Sequence, residues 1–177
     1  PEGVTKLGYG VFSGHRRLEK VTLPQSLREI GYGAFAGCVN LRDINILDGL
    51  TVIYEGAFRD CASLKTLMLP DSVQDMRRMI FTKCESLETV KLPNLVTSIG
   101  EYTFSGCHKL QTVLLPANLR EIVHDAFLGC GALTEITIPE KTEKIWFEAF
   151  MNCTALRKLR IPVTLQSFGR DALKGCS

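Results

Sequence analysis

Hydrophobic positions return along this chain every 23 residues. One unit reads Gly33-Ala34-Phe35-Ala36-Gly37-Cys38-Val39-Asn40-Leu41-Arg42-Asp43-Ile44. The phenylalanine slot is filled in order by Phe12, Phe35, Phe58, Phe81, Phe104, Phe127, Phe150 and Leu173, without insertion or deletion. Three residues later come His15, Cys38, Cys61, Cys84, Cys107, Cys130, Cys153 and Cys176. A fixed period of this length is typical of a solenoid, in which each repeat forms one coil stacked on the next.

Each unit contains a short strand with one buried face. In the first unit, apolar Val21 and Leu23 alternate with polar Lys20 and Thr22, and this period of two indicates a half-buried strand. A proline follows the strand in most units because it lacks the N–H that a ladder needs. The prolines are Pro24, Pro70, Pro93, Pro116, Pro139 and Pro162, with Leu47 in their slot in one unit.

The rest of each unit forms the other walls of the coil. A second apolar pair, spaced like Leu27 and Ile30, fits either a short extended piece or a turn, and the spacing does not separate the two. A third group, residues 31–38 in the second unit, combines small residues that let the chain bend with a phenylalanine that fills the interior. We predict a one- or two-turn helix or 3₁₀ segment at this corner.

One unit carries the full pattern in Leu110-x-x-Val113-x-Leu115-Pro116-x-x-Leu119-x-x-Ile122-x-x-x-Ala126-Phe127-x-Gly129-Cys130. It resembles the leucine-rich repeats of the Bacteroides surface antigen BspA type, and the resemblance covers the whole chain. It implies an α/β solenoid, a right-handed superhelix with a parallel concave sheet of one short strand per repeat and short strand, 3₁₀ or helical turns on the convex side. It also implies a cell-surface or secreted protein associated with adhesion.

Length and charge limit the classes of partner. We interpret residues 1–177 as one array of seven full repeats and most of an eighth, excised from a longer protein because both ends lie in phase with the repeat. A net charge of +2 from 21 basic and 19 acidic residues does not favour nucleic acid or a membrane surface. Neither end carries a polar capping repeat, which predicts exposed apolar end faces and end-to-end self-association.

The seven cysteines fit a packing role better than a chemical one. Parallel side chains in one inward row are poorly aimed for a disulfide, and an odd number leaves one thiol over. We therefore predict a row of reduced, buried thiols. No cysteine pair has the spacing of zinc ligands, and His15, His108 and His124 are not placed near a Ser or Cys that they could activate. We predict no metal, no cofactor and no enzyme activity.

Two corners depart from the repeat. Residues 76–84 have lost every glycine and include Arg77 and Arg78, so this corner is either a slightly longer helical turn or a basic knob for an acidic partner. Trp146 fills the slot that Gly31 holds in an earlier unit. It is either a binding anchor or a side chain packed across the convex corner.

The outward residues of the predicted strands form two columns on the concave wall. One column is Lys20, Asp43, Thr66, Thr89, Thr112, Glu135 and Lys158, and the other is Thr22, Asn45, Met68, Lys91, Leu114, Thr137 and Arg160. Threonine favours strands and forms stacking ladders, so one interpretation is purely structural. The other is a protein-binding strip with Met68 and Leu114 as apolar anchors between basic ends.

Two functions are consistent with these patterns. The first is an adhesion module that binds a protein, such as a host matrix protein or another cell's surface protein, through the concave face. The second is a structural spacer that holds another domain away from a cell surface. Solenoids serve many partners, so the repeat alone does not name one.

Overall fold

The computed structural model describes residues 3–176, which wind into a stack of coils built from parallel strands. Seven strands have three residues each: β2 (Lys20–Thr22), β4 (Asp43–Asn45), β6 (Thr66–Met68), β8 (Thr89–Lys91), β10 (Thr112–Leu114), β12 (Glu135–Thr137) and β14 (Lys158–Arg160). Eight have two residues each: β1 (Lys6–Leu7), β3 (Glu29–Ile30), β5 (Val52–Ile53), β7 (Asp75–Met76), β9 (Ser98–Ile99), β11 (Glu121–Ile122), β13 (Lys144–Ile145) and β15 (Ser167–Phe168).

The two kinds of strand form separate walls of the coil. The three-residue strands make the sheets β2-β4, β6-β8-β10 and β12-β14, whereas the two-residue strands make β1-β3-β5-β7 and β9-β11-β13-β15. For the second apolar group the sequence did not separate a short extended piece from a turn. The structure has both, since a turn is followed by a two-residue strand. In the first full coil the N–H of Leu27 donates to the carbonyl of Pro24 at 3.1 Å, and Ile30 then lies in β3.

The predicted helical or 3₁₀ corner is wrong, and the α/β class with it: residues 3–176 form strands and turns without a helix. Alternate N–H groups of the corner point along the stack. Those of Gly33, Phe35 and Gly37 donate to carbonyls of the next coil at 2.8–3.0 Å, and only those between them, such as that of Ala36, close local turns. A helix would need these N–H groups for carbonyls of its own segment, so the ladder between coils replaces it.

Two positions of every corner adopt a left-handed backbone, with φ between 54° and 77°. The first position is Gly10, Gly33, Gly56, Met79, Tyr102, Asp125, Glu148 and Asp171; the second is Gly14, Gly37, Asp60, Lys83, Gly106, Gly129, Asn152 and Gly175. Glycine takes this conformation without steric cost, and most other residues do not. Since residues 76–84 keep the same two left-handed positions at Met79 and Lys83, the helical-turn interpretation of that corner is also wrong.

The phenylalanines form one internal stack. From Phe12 to Phe150, successive ring centroids lie 5.0–5.9 Å apart and successive planes differ by 3–19°. The rings from Phe35 to Phe150 are fully buried. The single inner file predicted from the 23-residue spacing is therefore confirmed, and stacked aromatic pairs add to the stabilisation that burial alone provides.

The cysteines form a second inner column, and six of the seven thiols are buried. Each Sγ donates to the carbonyl of the phenylalanine 26 residues earlier, at 3.0–3.2 Å, as Cys84 does to Phe58. Burial raises the pKa of the Cys107 thiol to about 12 and also raises the pKa of Cys84 and Cys130. The predicted row of buried thiols is confirmed, and the Cys84, Cys107 and Cys130 thiols keep their protons at neutral pH.

Candidate functional site

The candidate site is the strand face, which consists of the first and third residues of the seven three-residue strands. In β6, Thr66 and Met68 are exposed while Leu67 between them is buried, as expected for alternating side chains. All fourteen residues of the two predicted columns lie on this face. Within each of the three sheets the strand pairing keeps these residues in register, so that Met68 lies opposite Lys91 and Lys91 opposite Leu114.

The middle of the strand face is uncharged apart from one lysine. Thr66, Thr89 and Thr112 pair in register in one column. In the other column Met68 is 49% exposed and Leu114 is 51% exposed.

The lysine between the two apolar side chains is already paired. Lys91 Nζ lies 3.1 Å from Asp71 Oδ1, which also accepts the backbone N–H of Asn94. The hydrogen bond from the Asn94 backbone and, to a smaller extent, the hydrogen bond from Lys91 lower the pKa of the Asp71 carboxyl group. Apolar and hydroxyl groups therefore dominate this central area.

The predicted basic ends of the face are largely neutralised. Lys20 Nζ lies 2.6 Å from Asp43 Oδ2, and Lys158 Nζ lies 3.6 Å from Glu135 Oε2. These pairs are exposed, so they contribute little to stability. Among residues 3–176, no carboxylate lies within ion-pair distance of Arg160. Of the two basic residues of β14, Lys158 is therefore paired within this range and Arg160 is not.

Asn45 serves the fold as well as the face. Its Oδ1 accepts the backbone N–H of Leu23 at 2.6 Å, and its Nδ2 donates to the carbonyl of Leu23 at 3.2 Å. The side chain therefore replaces ladder partners just after β2. Sequence reasoning placed Asn45 correctly on the strand face but missed this role, since a period of two does not show which polar side chain turns toward the backbone.

The strand face is interrupted twice, between β4 and β6 and between β10 and β12. At the intact junction before the second interruption, the carbonyl of Glu88 accepts the N–H groups of Gln111 at 3.0 Å and Thr112 at 3.1 Å. One coil later, the carbonyl of Gln111 receives no such pair from Thr134 and Glu135 within the described range 3–176. The backbone ladder of this wall is therefore open at two places.

Each interruption coincides with a cavity. One of about 520 Å³ is lined by Arg42, Ser63, Lys65 and Ser86. Arg42 and Lys65 occupy equivalent positions of neighbouring coils, and like charges opposite each other disfavour pairing, so this interruption had a signal in the sequence. The other, the β10–β12 cleft, measures about 660 Å³ and is lined by residues of both strands. The sequence shows no comparable pair of like charges at this second interruption.

A separate corner column was missed from the sequence. Arg78 binds Glu55 through Nε at 3.0 Å and Glu101 through Nη1 at 3.2 Å, and the other oxygen of Glu101 lies 3.2 Å from His124 Nε2. The hydrogen bond to Glu55 and, to a smaller extent, the hydrogen bond to Glu101 raise the pKa of the Arg78 guanidinium. The four residues are spaced by 23 in sequence, and this alternation of acidic and basic residue types at the repeat spacing was the available signal. Because Arg78 is paired with Glu55 and Glu101, its charge is not free for an acidic partner. This argues against residues 76–84 as a basic knob.

Two other departures from the repeat are also held by local contacts. Arg77 binds Asp75 at 2.7 Å. Trp146 is 42% exposed, and its Nε1 donates to Glu121 Oε2 at 3.0 Å. The hydrogen bond ties the partly exposed Trp146 side chain to the neighbouring coil.

The part of the chain that the structure describes offers no group of three or more His, Cys, Asp or Glu side chains that could hold a metal ion. It also has no helix long and apolar enough to cross a bilayer.

The repeat geometry matches a known family. A model described as a BspA type leucine rich repeat region matches residues 1–90 and 76–177, with six copies. The chain belongs to the BspA-type leucine-rich repeat family. The resemblance noted from the sequence is confirmed over the whole BspA-type array, and no curated protein matches it.

Solved structures agree with this BspA-type assignment. A leucine rich cell surface protein from Faecalibacterium prausnitzii shares 36% identity over 93% of this chain and 43% of its own, with a TM-score of 0.81. The leucine rich repeat protein TpLRR of T. pallidum shares 31% identity over 99% of this chain and 72% of its own, with a TM-score of 0.69. The array thus spans less than half of the first protein. This BspA-type array is a leucine-rich repeat protein of the bacterial surface type.

Proposed function

We propose that this BspA-type array is a protein-interaction module of a cell-surface or secreted protein, and that the strand face, the predicted concave wall, binds the partner. The similar F. prausnitzii protein is described as a cell surface protein. Repeat stacking produces long continuous surfaces that suit protein partners better than small ligands. The partner class is a protein, such as a host matrix protein or the surface protein of another cell, and the binding serves adhesion.

The exposure of Met68 and Leu114 carries this proposal. Both side chains are about half exposed, and they lie in one column on either side of Lys91. A face that served only solubility would carry charges at these positions. Exposed apolar side chains beside hydroxyl groups, with charged residues toward the ends, are instead typical of the core and rim of a protein interface.

A triple variant tests the role of the face. Met68→Ser, Lys91→Ser and Leu114→Ser together remove the central side chains without touching the buried centre of any strand. We expect the wild-type array to capture a partner from extracellular matrix or serum and the variant to lose that capture while its thermal unfolding stays close to wild type. The matched control, Tyr9→Ser with Val11→Ser, removes exposed apolar side chains from another part of the surface and should leave capture unchanged.

The spacer function predicts a different outcome. If the array only separates another domain from a cell surface, the triple variant and the control behave alike in every binding assay. Equal capture by wild type and triple variant would therefore overturn the proposed role of the strand face.

Self-association through the last coil is part of the same proposal. Ile161, Val163, Phe168 and Leu173 expose large apolar surfaces there, and a second copy of the segment would cover them. Light scattering should show dimers of the 177-residue segment as concentration rises, and Val163→Ser with Phe168→Ser should reduce them. A monomer at every concentration would overturn this part.

A further inference from the structure

The β10–β12 cleft leaves backbone groups of two strand edges without their usual partners. At the next junction along the stack, the carbonyl of Thr134 accepts the N–H groups of Arg157 at 2.9 Å and Lys158 at 3.3 Å. Within residues 3–176, the carbonyl of Gln111 has no equivalent donors at the cleft, and the N–H of Leu115 has no carbonyl of β12 to meet. A strand edge with an unpaired carbonyl oxygen and an unpaired N–H group is a template for hydrogen bonds to the backbone of another extended segment.

The floor of the cleft is apolar. Val113 and Leu115 line it and are partly exposed, although their counterparts one coil earlier, Val90 and Leu92, are buried. The inward side of β10 has therefore lost the cover that its neighbour keeps. A volume of about 660 Å³ lies within the range of built ligand sites, and an apolar floor of this kind accepts an aliphatic side chain.

The charge at the cleft favours an acidic ligand. Arg160 lines it and lacks a carboxylate within ion-pair distance among the described residues. The one acidic residue of the lining, Glu135, is already paired with Lys158 at 3.6 Å. A carboxylate that enters the cleft would therefore find an unpaired guanidinium, and such charge-assisted pairs are among the stronger and more directional polar contacts.

We propose that the β10–β12 cleft binds an extended acidic segment of a partner protein, which adds as a strand to the exposed edge of β10. The segment's backbone pairs with the Gln111 carbonyl and the Leu115 N–H. One apolar side chain enters the floor of Val113 and Leu115, and one carboxylate binds Arg160. Strand addition to an exposed edge obtains affinity from backbone hydrogen bonds and specificity from side-chain pockets. The inference rests on the proposed function, because it names how the strand face would hold its protein partner.

A display library of short random peptides, selected on the immobilised 177-residue protein, tests this directly. We expect enrichment of proline-free sequences that alternate apolar and polar residues and contain Asp or Glu, since proline lacks the donor that strand pairing requires. Arg160→Gln should weaken the selected peptides about tenfold by removing the charge-assisted pair. The matched control is Lys144→Gln, which removes one positive charge from the other strand wall, and it should change affinity little.

Hydrogen exchange then locates the bound peptide. The amide of Leu115 should become protected when the peptide binds, whereas the amide of Leu92, which already donates to the Leu114 carbonyl at 3.0 Å, should not change. Peptides that bind equally to wild type and Arg160→Gln, or that protect no cleft amide, overturn the inference. Protection of the Leu115 amide that rises with protein concentration alone would show a second copy as the occupant and would overturn it as well.

The two proposals fail in distinguishable ways. If the Met68, Lys91 and Leu114 triple variant loses its protein partner but Arg160→Gln does not, and if no acidic peptide is enriched, the strand face still binds protein while strand addition at the cleft is overturned. If the triple variant keeps its partner, the proposed role of the strand face fails, whatever the peptides show.

Discussion

The thiol of Cys84 donates a hydrogen bond to the carbonyl oxygen of Phe58, 3.1 Å away, and the same oxygen accepts the backbone N–H of Cys61 at 3.2 Å. One oxygen therefore joins two neighbouring coils. Since the same contact recurs along the stack, the cysteine row contributes to the interfaces on which the stability of a repeat array depends. This role explains why the cysteines follow the repeat more strictly than the corner glycines do.

Removal of one central thiol should weaken the stack. Cys84→Ala deletes a fully buried sulfur and its hydrogen bond, so we expect the free energy of unfolding to fall by about 1–2 kcal/mol, as measured by urea denaturation. Cys176→Ala is the matched control because that thiol is only partly buried, and it should cost less than half as much. Equal effects at the two sites would show that burial of the thiol is not the cause.

The raised thiol pKa values predict a loss of stability in alkaline solution. An unfolded cysteine has a pKa of about 8.5, while the Cys107 thiol has a pKa of about 12 in the fold. Below about pH 8 both states keep the proton, and the thiol contributes its full stability. As the pH rises between these two values, the unfolded chain releases a proton that the folded chain retains, so the free energy of unfolding decreases.

The measurement is the urea midpoint at about pH 7.5 and at about pH 10. We expect a lower midpoint at the higher pH, because each fully linked thiol removes about 1.4 kcal/mol per pH unit. Cys107→Ala should show a smaller decrease between the two pH values than wild type, since one of the linked protons is gone. An identical decrease in both proteins would contradict the assignment to this thiol.

The left-handed corner at Lys83 predicts a stabilising substitution. Lys83 adopts φ of 58°, a position that glycine holds in five of the eight coils. Lys83→Gly should raise the free energy of unfolding by about 1 kcal/mol because it relieves the steric cost of this conformation. In the reverse change, Gly129→Ala, the added Cβ meets only His108 Cε1, at an ordinary contact distance of 4.0 Å, and the change should cost a similar amount. Lys83→Ala keeps the strain and should give no gain in thermal or urea unfolding.

Much of the interior could be predicted from the sequence because the period is strict. Phe81 and Cys84 recur at fixed offsets, and only a stack of equivalent coils places such residues in single files. The corner could not be predicted in the same way. Whether the N–H of Phe35 closes a local turn or donates to the next coil depends on the position of that coil, and local composition does not contain this information.

The candidate site was predictable in position but not in detail. Alternation along short strands placed Met68 and Leu114 on the strand face, since successive strand side chains point to opposite sides. The pairing of Lys91 with Asp71 and the opening between β10 and β12 were not predictable. Both depend on distances between neighbouring coils, which a repeat of constant length does not reveal.

The backbone contacts of Asn45 predict a structural cost that is separate from binding. Asn45→Ala leaves the N–H of buried Leu23 without the side-chain oxygen that it meets at 2.6 Å, and an unsatisfied buried donor costs about 1–3 kcal/mol. We expect this loss in urea denaturation. Thr22→Ala is the matched control, because Thr22 lies opposite Asn45 in the paired strands but is exposed, and it should be close to neutral. If Asn45→Ala proves neutral and weakens partner capture instead, then Asn45 belongs to the binding surface and not to the ladder.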